Sequence, residues 1–139
     1  MEKLNENDVI RAVQLFLVNN GYINIQALST YQHGIDIVAT SPDGKTLYVE
    51  AKGATSSKKT TARHGKPFTK TQVRTHIAVA ILTLLQLLQQ YGSESAEVAI
   101  ALPNDNNHRS IVLSIIKQLE RLGIKVLFVN TDHSVEVCI

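Results

Sequence analysis

Two β-type runs, Ile35 to Thr40 and Thr46 to Ala51, flank the turn sequence Ser41-Pro42-Asp43-Gly44. A hairpin over this stretch constrains the chain more than any other feature. If Pro42-Asp43-Gly44 is a three-residue closure with Gly44 in the left-handed region, Ser41 pairs with Lys45. Counting back then sets Asp36 opposite Glu50. Side chains alternate along a strand, so Asp36, Glu50 and Lys52 converge on one face. Ile35, Ile37, Val49 and Ala51 fill the other, buried face. A two-residue Asp43-Gly44 turn would instead put Asp36 opposite Ala51 and split the two acids between faces.

Two carboxylates directly opposite each other repel. A divalent cation between them relieves that repulsion, and hard oxygen donors suit Mg²⁺ or Mn²⁺. A lysine further along the same face adds positive charge for a phosphate or an attacking water. These residue types in this order suit metal-assisted phosphodiester hydrolysis.

Elements around the hairpin follow from periodicity. Asn7 or Asp8 caps a first helix that runs to about Asn19 and stops at Asn20-Gly21. Tyr22 to Ser29 reads as a strand. A polar segment, Gly53 to Lys70, reads as a loop, followed by a helix from about Lys70 to Tyr91. Glu97 to Leu102 is a strand, Asn104 to Asn107 a polar turn and His108 to Leu122 a helix. Lys125 to Asn130 and Ser134 to Cys138 complete the chain as strands. The order α-β-β-β-α-β-α-β-β implies α/β architecture with a mixed sheet flanked by helices.

Asp36, thirteen intervening residues, then Glu50-Ala51-Lys52 resembles the Asp…Glu-x-Lys signature of the PD-(D/E)XK nuclease superfamily. The helix before the meander and the helix after the motif match its restriction-endonuclease-like αβββαβ core. The likeness covers about residues 5–102, with 103–139 an αββ extension of the same single domain. One departure is Gly34-Ile35 before the first acid, where a proline often stands. The resemblance implies a metal-dependent DNA endonuclease with Asp36 and Glu50 as metal ligands and Lys52 as a catalytic residue. In some branches a glutamate on the first helix joins the metal site; Glu6 matches by place, with Asp8 its competitor. Resolvase-like and Mrr-like branches carry a polar residue early in the helix after the motif, and Gln72 stands there. Glu6 reads equally as a helix N-terminal acid and Gln72 equally as a polar first-turn residue.

The chain's formal net charge of +2 conceals an asymmetry. Between Glu50 and Glu94 there is no acid, yet that interval holds Lys52, Lys58, Lys59, Arg63, Lys66, Lys70 and Arg74, half of the chain's Lys and Arg. From Lys58 to Arg74 this block reads as a phosphate-gripping arm. Few aromatics accompany it, which favours duplex or branched DNA over single strands, with RNA not excluded. Its length, 139 residues, leaves little room for a sequence-reading domain. Structure-selective or nonspecific cutting, or targeting by a partner protein, is therefore expected, and a homodimer would supply two sites for two strands.

The alternative is a noncatalytic nucleic-acid-binding or assembly subunit with the same fold. A single cysteine, Cys138, excludes a disulfide framework and a multi-cysteine zinc site. No apolar leader or membrane-length apolar run is read, so a cytoplasmic setting is expected. His33, His108 and His133 lack metal spacing and receive no role. Ile77, Ile81, Leu84, Leu85 and Leu88 form a core stripe or dimer seam.

Overall fold

The computed structural model describes residues 3–28, 35–55 and 66–139. The order is α1 (Glu6–Asn19), β1 (Ile23–Ala27), β2 (Ile37–Thr40), β3 (Thr46–Ala51), α2 (Lys70–Tyr91) and β4 (Ala96–Pro103). Then come α3 (Asn106–Leu113), α4 (Ile116–Leu122), β5 (Ile124–Val129) and β6 (Val135–Val137). The strands form one six-stranded sheet in sequential order. β1, β2 and β3 are antiparallel neighbours, β3, β4 and β5 run parallel, and β6 returns antiparallel to β5.

Helices cover both faces of this mixed sheet. Under α1, Val9, Val13 and Leu17 pack on Ile37, Ala39, Leu47, Val49 and Ala51. Ala99 and Ala101 of β4 point to the same side, and their small side chains leave room for the helix. On the opposite face, Val73, Ile77 and Leu84 of α2 pack on Val98, Ile100 and Leu102, with Val112 of α3 and Leu119 of α4 beside them. Central β4 is therefore apolar on both sides, as a covered parallel strand must be.

α2 begins and ends where the sequence places it, capped by Thr69 and stopped by Gly92. By length and composition alone this 22-residue helix could cross a membrane. Its buried row, Val73, Ile77, Ala80 and Leu84, packs against the sheet, while Val79 and Leu82 on its outer side are exposed.

Two expectations need correction. The first helix starts earlier, with Asn5 as its cap, because Asn5 and Asp8 exchange side-chain and backbone hydrogen bonds in a capping box. The expected helix from His108 to Leu122 is two helices, interrupted at Ser114-Ile115. There the Ser114 hydroxyl donates to the Ile111 carbonyl, a local bond that competes with continued helix.

Candidate active site

The hairpin closes as a three-residue turn. The Ser41 amide donates to the Lys45 carbonyl (2.8 Å) and the Gly44 amide to the Ser41 carbonyl (2.9 Å), with Gly44 at φ 88°. Ile37 pairs with Val49 and Thr40 with Thr46. Carried one residue further, this register sets Asp36 opposite Glu50. Val49 and Ala51 belong to the face under α1, while Tyr48 packs on the α2 side. Alternation therefore puts Glu50 and Lys52 on the α2 side, at the carboxyl end of β3.

Burial sets the electrostatics here. Glu50 is only 7% exposed, and among the described residues no group donates to its carboxylate. Desolvation, the charge of Asp36 and that of Glu6 push it up to about 7 against the pull of Lys52. Asp36 is also raised, mainly by burial, although its Oδ2 accepts the Ala51 amide at 2.8 Å and Lys52 favours its charge. Three carboxyls and one lysine thus share one partly desolvated field.

Glu6 reaches this field through the backbone. The segment after Lys52 runs alongside the start of α1: the Ala54 amide donates to the Leu4 carbonyl (2.7 Å), and Asn5 bridges Thr55. A Cβ on Gly53 would lie 2.4 Å from the Glu6 nitrogen, so only glycine allows this approach. Burial and Asp36 raise the Glu6 carboxyl to about 7 while Lys52 lowers it. Asp8, its competitor by sequence, is committed elsewhere: Oδ2 caps Asn5 and Oδ1 binds Arg11 at 2.8 Å.

Gln72 has a structural task. Its Oε1 accepts the Thr69 amide (2.8 Å), and the Thr69 hydroxyl accepts the Gln72 amide (3.2 Å), closing a capping box. Gln72→Ala should cost about 0.5–1 kcal/mol, seen as a lower Tm, whereas Gln72→Glu keeps the reciprocal bond and the stability. One turn on, His76 sits edge-on to Phe68, with centroids 4.7 Å apart. Burial and the nearby Lys52 charge hold His76 below its ordinary value. The cue in the sequence was its place one turn after Gln72, on the flank of α2 that faces the motif.

Of the basic residues, Lys66, Lys70 and Arg74 are exposed, and Lys58, Lys59 and Arg63 lie outside the described residues. The ends of the basic segment are tied together, since Thr55 bridges Pro67 and the Phe68 amide donates to the Ala54 carbonyl at 2.8 Å.

Among the described residues, no group of three His, Cys, Asp or Glu side chains gathers closely enough to hold a metal ion. Asp36 and Glu50, opposite each other and both oxygen donors, fit a hard cation as a pair; Glu6 shares their field without completing a three-ligand cluster.

His108, expected at the start of a helix and without metal spacing, is fully buried. Its Nδ1 lies 2.8 Å from Asp105 Oδ1, and its Nε2 has no partner among the described residues.

No protein-family model and no curated protein sequence matches the chain. Among solved structures it is similar to an FdxN element excision controlling factor protein from Anabaena variabilis, at 15% identity and a TM-score of 0.55. The match covers 96% of this chain and 99% of that one. At that identity the likeness is one of fold, extending over nearly the whole of both chains.

Proposed function

We propose that this protein is a metal-dependent DNA endonuclease with the restriction-endonuclease-like arrangement of the PD-(D/E)XK superfamily. The observation that supports it most is the register of the hairpin. It sets Asp36 opposite Glu50 and leaves Lys52 on the same face, among partly desolvated, mutually repelling carboxyls. A fold keeps partly compensated buried acids at a cost, and strongly perturbed carboxyls cluster at functional sites.

In this reading Asp36 and Glu50 would hold Mg²⁺ or Mn²⁺ as a pair, with the Glu6 carboxyl nearby in the same field. Such an ion supplies Lewis-acid chemistry to a phosphodiester. Lys52 stabilises negative charge developing on the phosphorus-bound oxygens and orients the attacking water. His76, held neutral, accepts a proton in the same field. Lys66, Lys70 and Arg74, together with Lys58, Lys59 and Arg63, bind the DNA backbone. Two copies acting together would cut both strands of a duplex.

A second reading is a noncatalytic nucleic-acid-binding or assembly subunit. It draws support from the incomplete three-ligand cluster and from the neighbour, which is named as a controlling factor. Supercoiled, linear and branched DNA incubated with Mg²⁺, Mn²⁺ or EDTA separates the two. We expect cleavage with either ion, none with EDTA, and a loss of at least about 1,000-fold in Asp36→Ala and Lys52→Ala. Metal-dependent cutting that survives both substitutions would remove the site. DNA retention without cutting would establish the second reading.

A further inference from the structure

The stripe expected as core or dimer seam is core: Ile77 and Leu84 are buried, and Ile81, Leu85 and Leu88 pack against the same cluster. The opposite side of α2 faces solvent. Val79 and Leu82 there are 52% and 57% exposed. Thr75, Ala78, Gln86 and Gln89 continue the row at helical spacing, all of them exposed. From Thr75 to the end of α2, about five turns, there is no Asp, Glu, Lys or Arg. Leu113 of α3, which packs beside α2 in the same layer, is exposed as well.

The charge pattern of this row indicates what covers it. A two-fold axis can set a helix antiparallel to its own copy, and a charge near the axis then meets itself. α2 carries none there. With the axis at Leu82, Leu82 meets its own copy, Val79 lies against Leu85, Ala78 against Gln86 and Thr75 against Gln89. The same pairing sets Lys70 of one copy against Glu94 of the other, at both ends of the seam. Neither residue has an ion-pair partner among the described residues. A parallel pairing would instead set Lys70 and Arg74 against themselves, which like charges oppose. Threonine and glutamine flank the apolar centre, and their hydrogen-bonding groups suit a protein surface better than lipid hydrocarbon.

We infer that the outer face of α2 pairs two copies of this chain, antiparallel about Leu82, into a homodimer. α2 is about 33 Å long, and with Leu113 beside it this face lies at the lower end of interface sizes, so a micromolar Kd is expected. Gln72 and His76 stay outside the seam, on the flank toward the motif, so each copy keeps its candidate site open. The inference stands on the surface of α2, independently of the nuclease reading, and names the contact through which two such sites would act together.

Sedimentation velocity of the full chain from about 1 to 200 µM tests it. Wild type should pass from monomer to dimer across that range. Leu82→Glu sets two like charges on the axis and should weaken pairing about 100-fold. Leu15→Glu, at an exposed apolar residue of α1, should leave pairing unchanged. Glu94→Lys should weaken it about threefold, and adding Lys70→Glu should restore it. A protein monomeric throughout, a Leu82→Glu dimer as tight as wild type, equal losses from Leu15→Glu and Leu82→Glu, or a Glu94→Lys dimer as tight as wild type would each overturn the inference. The wild-type series decides even where a variant does not fold. A monomer that floats with phosphatidylcholine–phosphatidylglycerol vesicles, and loses this as Leu82→Glu, would overturn it by giving the face to a lipid surface. Metal-dependent DNA cleavage by a monomer would remove the pairing and leave the nuclease reading intact. A dimer that retains DNA without cutting it would do the reverse.

Discussion

Glu50→Gln should make the metal-free protein more stable at pH 8, by roughly 2 kcal/mol or about 6 °C in Tm, and change little below pH 4.5. Folding raises the Glu50 carboxyl from 4.5 to about 7. Between those values the native state keeps a proton that the unfolded chain has released, so stability falls as pH rises. The contribution is fully present below about 4.5 and lost by the time pH passes about 7. Glutamine keeps the shape and carries no charge, so it escapes that loss. Glu6 is raised over the same window and adds to the slope, and removing one acid also relieves the other. Mg²⁺ should restore stability to wild type at pH 8 and do little for Glu50→Gln, while the substitution abolishes cleavage. Thermal unfolding from pH 4 to 8, with and without Mg²⁺, measures all of this. A Glu50→Gln protein less stable than wild type at pH 8 would show that the carboxylate is well solvated or paired, and the site would lose its electrostatic basis.

Gly53→Ala should lower stability by about 2–4 kcal/mol and reduce cleavage together with it. The added Cβ would stand 2.4 Å from the Glu6 nitrogen and 2.6 Å from the Asn5 carbonyl carbon. Both are backbone atoms at the start of α1, so no side-chain rotation relieves the clash. The Ala54–Leu4 hydrogen bond and the Asn5–Thr55 bridge would have to open, and Glu6 would leave the field of Lys52 and Asp36. Gly92→Ala is the control. Gly92 adopts φ 78° with open space around it, so its substitution brings only backbone strain of about 1 kcal/mol. Equal Tm values for the two variants would mean that the start of α1 yields easily and does not hold Glu6 in place.

The hairpin was legible because everything that sets its register is local. Pro42 and Gly44 determine the closure, the closure sets the pairing, and pairing with alternation brings Asp36, Glu50 and Lys52 to one face. α2 was legible for the same reason, with Thr69 and Gln72 capping one end and Gly92 ending the other. The break between α3 and α4 was not, because no glycine or proline marks it. The first cap was misplaced by two or three residues because Asn5, Asn7 and Asp8 are all good caps, and only the reciprocal Asn5–Asp8 bonds distinguish among them.

By itself, then, the sequence determined the element order apart from the break between α3 and α4, the two helix-covered sheet faces and the carboxylate pair, since period and turn chemistry act over a few residues. Tertiary structure decided which distant groups enter the site. Glu6 rather than Asp8 lies in the field of the candidate carboxylates because Gly53 admits the backbone of α1 and Arg11 and Asn5 occupy Asp8. His76 joins because α2 crosses the end of β3. His108, expected to open a helix, becomes a buried ring in the first turn of α3, bonded to Asp105, because α3 packs against α2. Each of these depends on contacts between segments far apart in the chain, which local periodicity does not encode.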